Sequence, residues 1–315
     1  MAFQHSILSL CFLALFGINK AVGDAAKLNP DIITTDVAII GGGSSGTYSA
    51  IRLQQLGNAV TLIERESRLG GHVNTYIDPS TGASFDYGVI SFDNISVVNN
   101  YFDYFNIPLA PLDFFPGPQV YADFSNGTIV PASSLPQGNL GAALIAYEAQ
   151  LAKYPNIYNG FDLPSPIPED FLIPWGDFIE KYQLQDLAYT VFTFLQGVGN
   201  ILAQPTLYIL KYLPSATVSN ILNGGFLTTA HHDNQALYDS ALAKLGSNAL
   251  LSSNVTQIHR SKDGVLLTVS TPSGQKLIKA SKLLVAIPPK LSNLGFLDLD
   301  NEERSLFSQF NNSYY

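Results

Sequence analysis

The sequence predicts an α/β protein: a Rossmann-like, doubly wound dinucleotide-binding domain with an inserted α+β substrate domain. Three observations lead there. The segment Asp36-Val37-Ala38-Ile39-Ile40 ends in an unbroken apolar run, followed by Gly41-Gly42-Gly43-Ser44-Ser45-Gly46 and a helix-period stretch. Strand-like runs return only after residue 245, beyond a middle section of different character. The 315 residues suit about two domains.

The first element is a leader. Residues 7–18 (ILSLCFLALFGI) form an apolar run of 12 residues, too short to cross a bilayer as a helix. Ala21-Val22-Gly23 then supplies small residues for signal-peptidase cleavage. Residues 1–23 are therefore expected to be a signal peptide. The mature chain starts near Asp24 in the secretory pathway and keeps no membrane span. The only methionine, Met1, and the only cysteine, Cys11, leave with the leader. The mature chain then forms no disulfide and holds none of the sulfur that peroxide oxidises most readily.

Residues 31–40 read as a buried parallel strand, because such strands are covered on both faces. Residues 47–56 follow as a helix with Ala50, Ile51 and Leu53 on one face. Gly57-Asn58 stops it, and residues 59–63 form a second strand closing on Glu64. This is one βαβ unit. Residues 94–105 read as a helix, and residues 119–130 as a hairpin around Asn126-Gly127. Residues 154–174 are rich in Pro, Asn and Ser. Helices are expected over 175–182, 186–196 and 205–212, and from Asn234 to Leu245. Strands are expected over 255–259, 264–270, 275–279 and 282–287, ended by Pro288-Pro289. The dinucleotide domain is thus read as 24–95 and 246–292, with 96–245 inserted. Phe192, Phe194, Tyr208 and Tyr212, at helical spacings, are expected in the core of that insertion.

Composition narrows the partners. Apolar residues make up 46% and charged residues 13%, with net charge -9. That apolar share supports a packed core and excludes a disordered chain. The acidic balance argues against nucleic acid or an anionic membrane, both of which need a basic face. His231-His232-Asp233 is not read as a metal site, because adjacent histidines in an extended segment point to opposite faces. Sequons occur at Asn94, Asn126, Asn254 and Asn311. Asn126, in the hairpin turn, is the best glycan acceptor.

The glycine loop carries the chemistry. Gly41 permits a tight turn, Gly43 lets backbone approach a pyrophosphate, and Gly46 lets helix and strand pack closely. The helix N-terminus then offers free N–H groups and a positive dipole end to phosphates. Glu64, ending the second strand, is placed for a ribose 2′-hydroxyl and would repel a 2′-phosphate. A nicotinamide dinucleotide remains a rival reading at this point, although no Tyr precedes a Lys by four residues.

The segment after Glu64 bears on that choice. Glu64-Arg65-Glu66-Ser67-Arg68-Leu69-Gly70-Gly71-His72, then Asp86-Tyr87-Gly88-Val89, then the block from Asn254-Val255 to Ala286-Ile287-Pro288-Pro289 resemble elements of the flavin-containing amine oxidase family. The wording is closest to its secreted fungal members. The resemblance implies FAD as cofactor, held non-covalently by Gly41, Gly43, Ser45, Gly46, Glu64, Arg65, Gly70, Gly71, His72, Gly88, Val89, Ile90 and Val255. His72 stands where the family has Arg, and Val255 is where a backbone contact to adenine is expected. The implied reaction is transfer of a hydride from a carbon next to nitrogen, in an amine or alkaloid-like small molecule, to flavin N5. The family continues well past the Ala-Ile-Pro-Pro element, so residues 293–315 read as the start of a further half. No catalytic residue is named, because the resemblance places it beyond Tyr315. A chain that stops there would be a non-catalytic remnant binding a dinucleotide weakly.

Overall fold

The computed structural model describes residues 31–113, 117–136, 138–158 and 160–310. The expected leader (1–23) and the sequon at Asn311 lie outside these residues. Elements are numbered in chain order.

Strand β1 (Asp31–Ile40) leads through the glycine loop into helix α1 (Ser44–Gln55) and strand β2 (Val60–Ile63). β1 and β2 pair in parallel, Val37 with Val60 and Ile40 with Ile63. The helix begins at Ser44, three residues before the expected start, because the turn at Gly43 sets its first turn. β3 (Thr75–Ile77) and β4 (Ser84–Asp86) form a hairpin, followed by α2 (Ser96–Tyr104) and β5 (Leu109–Pro111). β6 (Tyr121–Asp123) and β7 (Thr128–Val130) form the expected hairpin around Asn126-Gly127.

Six helices follow: α3 (Leu140–Leu151), α4 (Glu169–Leu172), α5 (Trp175–Lys181), α6 (Ala188–Phe194), α7 (Thr206–Tyr212) and α8 (Ser215–Asn223). They enclose their own core, with Leu144, Tyr147, Trp175, Phe178, Leu187, Ile209 and Leu210 all fully buried. Inside it, the buried Asp170 carboxylate accepts from Lys181 Nζ (2.6 Å), Tyr182 Oη (2.6 Å) and Tyr154 Oη (2.8 Å). Burial pushes that carboxyl upward, and the three donors together outweigh it and hold it below the ordinary range.

The aromatics expected in this core are mostly on its outside. Phe192, Tyr208 and Tyr212 are exposed by 54%, 44% and 63%, while Phe194 is partly buried against the core. α6 and α7 are two-turn helices that bury Val191 and Ile209-Leu210 instead. A helix this short has room for one buried stripe, and the aliphatic residues fill it.

The chain returns through β8 (Leu227–Thr229), which pairs with β5, and α9 (Gln235–Leu245). β9 (Ala249–Leu250), β10 (Asn254–Ser261), β11 (Gly264–Thr271) and β12 (Gly274–Val285) complete a six-stranded sheet of order β10-β11-β12-β1-β2-β9. The last two expected strands are one. β12 runs through Ala280-Ser281 because its first half pairs with both β11 and β1, and its second half continues along β1 from Lys282 to Val285.

Alternation along β1 explains its apolar run. Ile39 faces α1, α2 and α9, packing with Ile51, Phe102 and Leu237, while Ala38 and Ile40 face Ile258, Leu267 and Ile278 of β10–β12. Phe102 and the buried stripe of α9, at the two ends of the expected insertion, thus pack on the sheet. α10 (Asn301–Phe307) starts with a capping box between Asp300 and Glu303. Arg260 of β10 binds Asp298 (2.6 Å) and Glu303 (2.6 Å), tying this helix to the sheet. Among the described residues no helix is long and apolar enough to cross a membrane.

Candidate functional site

The site forms where β1 and β2 end. Gly41, at φ +102°, lies in the left-handed region, and its N–H donates to Ile63 O (2.9 Å). A side chain there would meet Ala286 O at 2.7 Å, because the chain after β12 passes directly over the turn. At Gly46 a Cβ would fall 1.9 Å from Gly41 O, so α1 packs on the loop as only glycine allows. Gly43 differs. Its φ of -69° suits any residue, and the nearest atom to a Cβ there would be Gly71 Cα at 3.9 Å. Among the described residues nothing fills the space that the missing side chain leaves.

Gly43 is also the N-cap of α1, and it makes no side-chain capping bond. No acidic residue stands in the first turn, and Ser44 and Ser45 are exposed there. A helix end with uncapped N–H groups and no competing carboxylate in its own first turn is suited to an anion.

Glu64 lies beneath the loop. Its Oε2 accepts from Gly42 N at 2.5 Å and its Oε1 from Glu66 N at 2.8 Å. A carboxylate accepts about four hydrogen bonds, so capacity remains for hydroxyl donors. Ser253 N donates to Glu64 O (2.9 Å), which brings the start of β10, and with it Val255, beside this acid. A bulge between Val255 and Gln257 interrupts the pairing with β11 there.

Two further glycine elements close on the loop. Gly70 N donates to Gly42 O at 2.8 Å, and a Cβ on Gly71 would approach Gly43 Cα to 3.0 Å. At Gly88 a Cβ would fall 1.9 Å from His72 O, so the segment after β4 crosses this turn in near contact. The Asp86 carboxylate, buried behind it, accepts at Oδ1 from Thr75 Oγ1 (2.5 Å) and Asn234 N (3.0 Å). Among the described residues nothing donates to its Oδ2, which is buried.

The glycine positions and Glu64 expected from sequence therefore converge at one end of the sheet. Val89 is half-buried, and its O accepts from Asn234 Nδ2 at 2.9 Å. Ile90 is 41% exposed, and His72 is exposed with its carbonyl against Gly88. Arg65 points outward and pairs with Glu66 at 3.2 Å.

Sequence reasoning passed over three residues that hold this arrangement. Arg68 donates to Val73 O (2.8 Å), Gly71 O (3.1 Å), Asn74 Oδ1 (2.5 Å) and Gln235 Oε1 (2.9 Å), so one guanidinium shapes the whole Gly70-Gly71 turn. Gln235 and Tyr238 reach the site from α9. The only forward signal was a cation lying within the Glu64–His72 segment.

Elsewhere, His231 and His232 are exposed on the loop before α9. Among the described residues no group of three metal-ligating side chains comes together. A cleft of about 290 Å³ between α1 and α2, lined by Tyr48, Arg52, Tyr101 and Tyr104, lies further along α1.

Known proteins are similar to this chain in sequence and in fold. Residues 39–106 match a family described as "NAD(P)-binding Rossmann-like domain". The FAD-dependent oxidoreductase dpasF of Apiospora sacchari is 36% identical over 97% of this chain and 67% of its own length. The FAD-dependent oxidoreductase oblC of Cochliobolus heterostrophus is 42% identical over 90% of this chain and 60% of its own. Beta-cyclopiazonate dehydrogenase of Aspergillus flavus is 36% identical over 91% and 62%. The chain thus spans about three fifths of the length of most of these relatives.

Solved structures share the fold. A CLA-producing fatty acid isomerase from P. acnes superposes with a TM-score of 0.67 at 23% identity, covering 87% of this chain and 64% of that one. Putrescine oxidase bound to putrescine superposes with a TM-score of 0.63 at 18% identity, covering 88% and 63%.

Proposed function

Since the chain belongs to the family of FAD-dependent oxidoreductases that includes beta-cyclopiazonate dehydrogenase, we propose that it acts as an amine oxidase-type oxidoreductase on an amine or alkaloid-like small molecule in secondary metabolism. The reaction is removal of a hydride from a carbon next to nitrogen. The observation that carries the reading is the open space at Gly43, between an uncapped helix end and the Gly70-Gly71 turn.

The residues present fit FAD. The α1 N-terminus with Gly43 and Ser45 would hold the diphosphate, by N–H donation and the helix dipole. Glu64 would accept from the ribose hydroxyls, with its carboxylate already fixed by Gly42 N and Glu66 N. The backbone at Gly88, Val89 and Ile90 would lie along the flavin, and that at Val255 along the adenine. When bound, the flavin supplies the hydride acceptor. The protein's part is to orient the cofactor and to exclude water, with Leu69 and Val73 sealed into the core behind the site.

A secretory location accompanies this reading. Asn126 is exposed in its turn, and its Oδ1 accepts from both Thr128 N (2.9 Å) and Thr128 Oγ1 (2.7 Å). The sequon is thus folded with its hydroxyl on its acceptor residue. At Asn254 the sequon hydroxyl of Thr256 bonds Thr268 O instead.

Spectral titration with FAD and with NAD, followed by peroxide release over a panel of amines, tests the function. Saturable FAD binding is expected, and amine-dependent peroxide where oxygen is the acceptor that takes the two electrons back from the reduced flavin. Binding of NAD in preference to FAD would overturn the cofactor assignment.

A further inference from the structure

The segment from Thr228 to Tyr238 joins parts of the site that are far apart in the chain. Asn234, fully buried, donates from N to Asp86 and from Nδ2 to Val89 O, gripping the strand that leads to Gly88. Gln235 Nε2 donates to Leu69 O (3.0 Å) while its Oε1 accepts from Arg68, gripping the Gly70-Gly71 turn. One turn on, Tyr238 Oη lies 2.6 Å from Ser44 Oγ, at the first residue of α1. The Gly88 segment, the Gly70-Gly71 turn and the start of α1 are thus tied to the same helix end.

We infer that Tyr238 is a positioning residue for the diphosphate end of the cofactor: it holds the Ser44 hydroxyl by donating to it, so that Ser44 keeps its own proton for a phosphate oxygen. This rests on the FAD reading above. Tyr238 is only 2% exposed, and its ring stands where a Cβ on Gly70 would touch Cγ at 3.2 Å. The ring cannot swing, so the place of its hydroxyl is set by packing. Ser44 is exposed at a helix end that has no side-chain cap. Either hydroxyl can be the donor in the pair, and hydroxyl protons rotate to suit their surroundings. An anion at the positive end of α1 selects the arrangement in which Tyr238 donates inward and Ser44 donates outward. In a chain of this kind each hydrogen bond polarises the next, so the phosphate bond gains from the buried phenol behind it.

The test is a double-mutant cycle on FAD binding by the full chain, using Tyr238→Phe, Ser44→Ala and the double variant. Phe keeps the ring and removes one oxygen, and Ser44 is exposed, so both variants fold. Either single change is expected to raise the Kd for FAD about three- to tenfold, the range of a net hydrogen bond. The double variant is expected to be no weaker than the weaker single, and the melting temperature of the cofactor-free Tyr238→Phe chain should not move. ADP, used as a competitor, should lose potency against Tyr238→Phe by the same factor, and adenosine should not. Wild-type affinity in Tyr238→Phe, full additivity in the double, or equal loss for ADP and adenosine would each overturn the inference. A wild-type chain that binds no FAD would overturn the cofactor reading first, and this inference with it.

Discussion

Substituting Gly43 and Gly46 separately by alanine distinguishes a glycine kept for a ligand from one kept for the fold. At Gly46 the new methyl would fall 1.9 Å from Gly41 O, far inside van der Waals contact. Helix and loop must part, which as overpacking costs about 1–3 kcal/mol or more. At Gly43 the methyl meets nothing nearer than Gly71 Cα at 3.9 Å, and φ -69° with ψ -174° suits alanine. Loss of unfolded-state freedom adds roughly 0.4–1 kcal/mol of stability. The weaker N-cap offsets roughly the same amount. The cofactor-free Gly43→Ala chain should therefore melt near wild type. A diphosphate seated as proposed would need the same space, and crowding it by one methyl would cost about 1–3 kcal/mol of binding, or roughly 5- to 150-fold in Kd. The assay is a circular-dichroism melt of each cofactor-free variant beside an FAD titration. Gly43→Ala should keep its melting temperature and lose FAD. Gly46→Ala should lose both, with a fall of about 2–4 °C for each kcal/mol. A Gly43→Ala chain that binds FAD as tightly as wild type would refute the placement of the diphosphate at this helix end.

Other outcomes follow from the same structure. Glu303, hydrogen-bonded by Arg260 and by Asp300 N, is held at about 2. Its contribution to stability is complete above the ordinary glutamate range and is lost as pH falls from about 4.5 toward 2. Urea melts of Glu303→Gln should lack that part of the acid limb, and an unchanged limb would count against the tie between α10 and β10. Asp170→Ala should destabilise the helical core by about 1–3 kcal/mol, because it strands the Tyr154 and Tyr182 hydroxyls and removes the acceptor of Lys181. Denaturant midpoints measure this, and a neutral result would show that water replaces the carboxylate. In protein from its natural host, glycosidase treatment should lower the mass at Asn126 and not at Asn254. An unmodified Asn126 would remove the support for secretion.

The parallel core was legible because each of its features has a local cause. A strand buried on both faces must be apolar throughout, so β1 announced itself. The glycines at 41, 46 and 88 are required by near contacts that no other residue tolerates. The hairpin at Asn126-Gly127 was written in its turn residues. Where the reading failed, the deciding contact was distant. The split placed in β12 followed the polar residues near Ser281, but pairing with β1 on one side and β11 on the other carries the strand through them. Phe192, Tyr208 and Tyr212 have core-like composition and spacing, yet the faces they share are not the ones their short helices bury.

The supports of the site were hidden for a related reason. Thr228, Thr229, Asn234 and Gln235 are polar, and in sequence such residues before a helix read as an ordinary loop and cap. Asn234 does not cap α9 with its side chain. Its Oδ1 accepts from Thr229 N and Thr229 Oγ1, and its Nδ2 serves Val89 O. Asn234 and Gln235 are drawn inward by Asp86, Val89 O and Leu69 O, and Thr228 and Thr229 in turn hold Asn234. Glycine elements buy close approach by giving up side chains, and backbone stripped in this way needs hydrogen-bond partners from elsewhere. In this chain Arg68 supplies some partners from nearby, and the others come from one helix end, between 145 and 167 residues away in sequence. A glycine-rich cofactor site is therefore specified twice, once by the glycines that open it and once by the polar residues that hold it open. Only the first set carries a local pattern.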